Sequence, residues 1–302
     1  MSAAVLEPPA ARQGPGPIVA PLVDALDVAV NRLVARTLPG DRRAAGVGVG
    51  TELAQLRPYQ IGDDVRHIDP AASARTGQPH VRLHVPERAL TTWIVLDVSP
   101  SMAFGTARRL KADVAEGVAL VFGRLGVRRT GSVGLVAFGA AGPRVLPPRG
   151  SKPGMVAVRR FLAEGTAPDG QHDRDGLADG LRHVARLGRQ PGLVVVISDF
   201  RDQHAWERPL GSLGVRHSVL AVEIVDPRET ELPRLGYLSL VDPESGARIE
   251  IDTSRRRVRD RFAAIERERR EAVRRELQRL RIHHVALSTD QDWLVALGRN
   301  LR

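Results

Sequence analysis

A chain of 302 residues, 42% hydrophobic and 26% charged, is long enough to bury a large core, and its 4% aromatic content leaves that core to Val, Leu, Ile and Ala. The absence of cysteine excludes disulfides, thiolate metal sites and cysteine nucleophiles, and no run approaches the ~20 apolar residues of a membrane span. The net charge of +10 concentrates between Ser254 and Ile282, where twelve Arg face five Asp or Glu. Only Lys111 and Lys152 are lysines.

Met1 to Pro17, rich in Ala, Pro and Gly and without the charged-then-apolar order of a signal peptide, reads as a flexible lead-in, so a cytoplasmic location is expected. Ile18 to Leu38 places Leu22, Leu26, Val30, Leu33 and Val34 at helical intervals. Asp41 to Arg88 reads as loop-rich with one alternating strand, HVRLHV, so residues 18–90 form an N-terminal segment and 91–302 the main domain. From Thr92 onward the apolar runs TWIVLD, SVGLVAF, GLVVVISD, HSVLAVEIV and HHVALST alternate with helical patterns near 106–126, 152–164, 176–188, 203–213, 255–281 and 291–301. Such alternation predicts an α/β fold, a doubly wound and mostly parallel sheet with helices on both faces. PRVLPP adds an antiparallel edge strand, and YLSLVDPESGARIEI a hairpin turning at Pro243 to Gly246.

Two of these strands end on an acid, Asp97 and Asp199, and Asp97 is followed by Ser99 and Ser101. In open α/β sheets ligands bind beyond the carboxyl ends of the strands where the order reverses, so neighbouring strands would bring these four oxygen donors together. Such donors suit a hard cation, Mg²⁺ first, with Mn²⁺ or Ca²⁺ as alternatives. The other reading is that both acids cap the following helices or close turns.

DVSPSM followed by Gly105 resembles the metal-ion-dependent adhesion site of von Willebrand factor A-like domains. Upstream, Glu52, Arg57, Tyr59, Gly62, Asp63, Asp64, Arg66, Ile68, Asp69, Ala74, Arg75, Glu87 and Arg88 resemble, in order, the pattern of the bacterial family called domain of unknown function 58. The resemblance implies a von Willebrand factor A-like fold, metal ligands at Asp97, Ser99, Ser101 and Asp199, and association with a MoxR-type AAA+ ATPase. Pro70 departs from the family's usual Trp, and DGLADGL sets Asp175 in the slot of the metal-binding Thr, with Leu177 and Leu181 as its helix positions. Thr166 lies nine residues too early for that slot. With Asp175 as a fifth ligand the site would be net negative around a divalent ion and repel an acidic partner group; the alternative is that Asp175 turns away.

RPYQIGDDVRHID is expected to be a network of ion pairs and Asx turns pinning the N-terminal segment to the sheet, with a docking surface as the sharper alternative. GVGVG at 46–50 lacks the Lys-Ser or Lys-Thr of a phosphate loop and reads as loop, and His283 with His284 has no third nitrogen ligand for zinc. On the Arg-rich helix, Val258, Phe262, Ile265, Val273, Leu277 and Leu280 form a core-facing stripe, with Glu266 and Arg270, and Glu271 and Arg275, spaced to pair. Its outer face lacks the aromatics that stack bases, which makes nucleic-acid binding the minority reading. Three functions follow. The favoured one is a non-enzymatic, metal-dependent interaction module acting as adaptor or co-chaperone for the ATPase. The second is a Mg²⁺-dependent phosphohydrolase using Asp97, although Ser99 stands where haloacid-dehalogenase-type enzymes want a second Asp; the third is nucleic-acid binding through the Arg-rich helix.

Overall fold

The computed structural model describes residues 12–37, 52–85, 90–128, 131–140, 142–170, 175–202 and 206–301. In chain order these form α1 (Ala20–Thr37), β1 (Glu52–Pro58), α2 (Pro70–Thr76), β2 (His80–Val85), β3 (Thr91–Asp97), α3 (Lys111–Gly126), β4 (Ser132–Phe138), β5 (Arg144–Gly150), α4 (Ser151–Leu162) and α5 (Gly176–Leu187). Then come β6 (Leu193–Ser198), α6 (Glu207–Arg216), β7 (Ser218–Val225), α7 (Pro227–Thr230), β8 (Tyr237–Val241), β9 (Arg248–Asp252), α8 (Arg256–Arg279), β10 (His283–Ser288) and α9 (Trp293–Asn300). The chain divides into two compact units, Pro39–Ala89 and the remainder.

The main unit is built on a six-stranded sheet in the order β10-β7-β6-β3-β4-β5. All neighbours are parallel except β5, which runs antiparallel to β4. Runs such as LVVVIS are apolar at every position because a parallel strand is covered on both faces. Alternate side chains divide between two cores. Ile94 and Leu96 join the cluster that includes residues of α1, α3, α4 and α9, while Trp93 and Val95 join residues of α5, α6 and α8. Pro147 and Pro148 lie in β5, an edge strand, where a missing N–H is tolerated. The chain proceeds outward from β3 through β4 and then restarts at β6 on the other side of β3, so the topological switch point lies between β3 and β6.

Two boundaries differ from expectation. α1 belongs to the main unit, because Val23, Leu26, Ala29, Val30 and Val34 enter the first core. The described end of the expected lead-in is also fastened there. The N–H groups of Gln13 and Gly14 donate to buried Asp113 at 3.2 and 2.9 Å, and Trp293 Nε1 donates to Pro15 O at 2.9 Å. Residues 1–11 and the GVGVG loop lie outside the described residues.

The small unit pairs β1 with β2 in antiparallel register, a second strand and a short helix more than the loop-rich reading expected. α2 owes its existence to its ends. Asp69 accepts from Ala72 N at 2.9 Å, Pro70 opens the first turn, and Gly77 closes it at φ 71°. Arg57 pairs with Asp63 and Arg66 with Asp64, each at 2.7 Å, so the expected ion pairs and Asx turns are present within this unit. Glu87 and Arg88 lie outside the described residues.

Candidate functional site: acids and hydroxyls at the switch point

β3 and β6 run side by side with Leu96 opposite Ile197, which sets Asp97 and the Ser198–Asp199 pair at the same carboxyl edge. Ser198 Oγ donates to Asp97 Oδ2 at 2.6 Å, and Asp97 Oδ1 accepts from Ser99 N at 2.9 Å. Ser99 Oγ and Ser101 Oγ lie 3.0 Å apart, and Ser101 Oγ donates to Asp199 Oδ2 at 2.9 Å. Four of the residues singled out from the sequence, Asp97, Ser99, Ser101 and Asp199, are therefore one hydrogen-bonded cluster, each 3–6% exposed.

Glycine makes the close approach possible. Gly139, after β4, has φ 89°, and a Cβ there would stand 2.8 Å from Ser99 N. The backbone is also tied by Val98 N to Phe138 O at 2.9 Å and by Ala167 N to Val98 O at 2.7 Å. Thr166 lines a small cavity with Asp97 and Val98. Asp175 is exposed, at the N-cap position of α5.

The sequence profile of the family described as protein of unknown function DUF58 matches residues 55–272. The chain belongs to the DUF58 family. Uncharacterized proteins of Mycobacterium tuberculosis (strain ATCC 25618 / H37Rv) and Mycobacterium bovis (strain ATCC BAA-935 / AF2122/97) are each 37% identical to it over 303 residues, covering 98% of this chain and 93% of theirs. Solved structures resembling it include an aerotolerance-related membrane protein from Bacteroides fragilis NCTC 9343, at 15% identity, 70% of this chain, 98% of that one and TM-score 0.44. Another is von Willebrand factor type A from Catenulispora acidiphila, at 14% identity, 70% of this chain, 41% of that one and TM-score 0.39. The main unit of this DUF58 protein is an α/β fold with a mostly parallel central sheet, and no helix among the described residues is long and apolar enough to cross a membrane.

Lys111, Arg201, Arg269 and Asp202, which complete the cluster, were not among the candidate site residues. Lys111, the first residue of α3, is fully buried, and its Nζ donates to Asp199 Oδ2 and to Glu229 Oε1, each at 2.7 Å. Arg201 N donates to Asp199 Oδ1 at 3.1 Å while its guanidinium reaches both oxygens of Glu266 at 3.2 and 3.1 Å. Arg269 holds Glu266 from α8 at 3.1 Å and donates to Phe200 O at 3.1 Å. Asp202 accepts from Leu177 N at 3.0 Å, at the start of α5. One signal in the sequence pointed to Lys111: a chain that otherwise uses Arg keeps two lysines, and this is one of them.

The electrostatics follow from these contacts. Burial pulls the Lys111 ammonium down, but Asp199 and Glu229 more than offset it, so its pKa lies above the usual value. Burial alone would raise Asp199; Lys111 first, then Arg201 and Ser101, instead hold it at about 2. Asp97 has the opposite fate, because burial and then the Asp199 charge push it up to about 7. Asp202 is pushed up to about 8 by burial and by Asp97. Asp97 and Asp202 have no ion pair among the described residues, whereas Asp199, Glu229 and Glu266 share Lys111, Arg201 and Arg269.

The donor chemistry is that of a hard-cation site, yet the arrangement does not fit a divalent ion between Asp97 and Asp199. Asp199 Oδ2 already receives an ammonium at 2.7 Å and a hydroxyl at 2.9 Å, and Oδ1 receives a backbone N–H. Unit charges about 4 Å apart repel by about 4 kcal/mol at an effective dielectric of about 20, and a divalent ion doubles that.

The stripe expected on the Arg-rich helix departs from expectation at one position. Val273 and Leu277 are buried, but Ile265 is 55% exposed and Glu266 is buried in its place, drawn in by Arg201 and Arg269. Arg270 lies 3.5 Å from Glu223 on β7, and Glu271 pairs with Arg274. His284 Nε2 meets Glu223 Oε2 at 3.0 Å.

Proposed function

We propose that this DUF58 protein is a non-enzymatic interaction module that docks a protein partner against the carboxyl edge of its sheet, the partner being a MoxR-type AAA+ ATPase, as the family resemblance implies. One observation carries the reading: the hydroxyls, Asp97 and the lysine at the switch point are already committed to one another or to their neighbours. Among the described residues no His joins the hydrogen-bond network of the Ser99 and Ser101 hydroxyls, and Lys111 is a buried ammonium held by two carboxylates, so it is no base. Asp97 is 4% exposed and hydrogen-bonded on both oxygens, which disfavours it as the nucleophile of a phosphohydrolase. Support for docking comes from position, since loops from several strand ends gather around the cluster as they do at ligand crevices of open sheets.

The test is capture of a co-expressed MoxR-type ATPase by the tagged full chain. Asp175→Arg, an exposed reversal at the start of α5, is expected to weaken capture at least tenfold with the fold intact. Equal capture removes the carboxyl edge from the interface. Phosphatase activity that disappears in Asp97→Asn would instead establish the enzyme.

A further inference from the structure

We propose that the Lys111 ammonium is the resident cation of the strand-end site, standing where the adhesion-site pattern calls for a divalent ion. Four of the pattern's donors, Asp97, Ser99, Ser101 and Asp199, are present in one cluster, but so is a counter-charge that the chain supplies itself. Lys111 is 0% exposed, its Nζ lies 2.7 Å from Asp199 Oδ2, and that same oxygen takes the Ser101 hydroxyl. The second carboxylate on Nζ, Glu229, comes from α7 beyond β7, and its Oε1 also faces Arg201 Nε at 3.5 Å. Nζ therefore ties the loop after β6, the start of α3 and α7 to one point, the mechanical task a bridging ion performs when its ligands come from separate loops.

Position and covalent tether distinguish this cation from an exchangeable one. Lys111 opens the 16-residue α3, so the positive end of the helix dipole adds to the ammonium beside Asp199. On the other side, the α5 terminus presents Leu177 N to Asp202. A compact ammonium can make three hydrogen bonds but cannot leave, be chelated or accept a carboxylate from a partner by exchanging water. Docking at this edge is consequently independent of divalent ions and insensitive to EDTA. The claim concerns the site's own charge and stands whether or not the ATPase is the partner.

Binding of Mn²⁺ alone to the full chain, followed by water-proton relaxation near neutral pH, tests it. The wild type is expected to show no saturable binding up to about 1 mM, the weak end of hard-cation sites in proteins. Lys111→Met, which uncovers Asp199 and Glu229, is expected to bind at least tenfold more tightly than the wild type. Because that variant leaves buried Asp199 and half-buried Glu229 without their shared cation, Lys111→Met with Glu229→Gln is the companion, its fold checked by circular dichroism and its Mn²⁺ affinity expected to rise likewise. Saturable binding by the wild type that is lost in Asp97→Asn or Ser101→Ala overturns the proposal. Folded Lys111 variants as indifferent to Mn²⁺ as the wild type overturn it too, since the ammonium would then not be what holds the ion's place.

Discussion

Asp97→Asn should remove a decline in stability between about pH 4 and pH 7. Asp97 titrates at its ordinary 3.8 in the unfolded chain and near 7 in the folded one. Below 3.8 both states carry the proton and nothing is lost; between 3.8 and about 7 the unfolded chain ionises while the folded one resists, so stability falls; above about 7 it levels off. That displacement corresponds to about 4 kcal/mol. The amide keeps an oxygen for Ser99 N, but its NH₂ faces Ser198 Oγ, which now receives a hydrogen bond where it donated one and also accepts from Phe200 N at 3.0 Å. The unpaired hydroxyl proton costs about 1 kcal/mol. Urea unfolding at several pH values is therefore expected to give curves that cross. The variant is the less stable by about 1 kcal/mol near pH 4 and the more stable by up to about 3 kcal/mol near pH 8. Asp202 supplies its own decline through about 8, which the Asp97→Asn, Asp202→Asn double variant removes. Wild-type and Asp97→Asn stabilities that run parallel from about pH 4 to pH 8 would refute the assignment of buried, cation-free charge to Asp97.

Three further outcomes are expected from the same measurement. Lys111→Met should cost about 3–5 kcal/mol, the usual consequence of stranding one side of a buried ion pair, whereas Arg256→Ala, which breaks the exposed Arg256–Asp260 pair, should leave the midpoint unmoved. Asp199, held at about 2, contributes stability that is complete above its ordinary 3.8 and lost as pH falls toward 2, so Asp199→Asn should flatten the acid limb and, by removing a charge that helps raise Asp97 and Asp202, also soften the decline toward neutral pH. Gly139→Ala should cost about 2 kcal/mol or more, because φ 89° disfavours an L residue and the new Cβ meets the backbone of Ser99 at 2.8 Å; restoration of full stability by loop relaxation would count against close approach as the reason for glycine there.

The central sheet was legible because burial on both faces writes itself as unbroken Val, Ile and Leu, and each strand from β3 to β10 was expected within a few residues of its place. α2 was not, because seven residues are too few for a periodic stripe and its ends, Asp69 and Gly77, are what stabilise it. Ile265 was expected inside because its spacing from Phe262 and Val258 suits a stripe. The helix instead turns Glu266 inward toward Arg201, 65 residues upstream, a partner that spacing along the helix cannot reveal.

The same limit governs the site. Asp97, Ser99, Ser101 and Asp199 could be brought together on paper because strand ends at a switch point converge by topology, and they do. Converging oxygens express a demand for positive charge; they do not name its source. An ion from solvent, an arginine from a partner and a lysine from the next helix satisfy that demand equally in the sequence, and only contacts spanning 88 and 118 residues show that Lys111 meets it. With the ammonium fixed on Asp199, burial first and the neighbouring carboxylate charge second raise Asp97 and Asp202, which take protons near neutral pH, while Lys111 holds Asp199 far below.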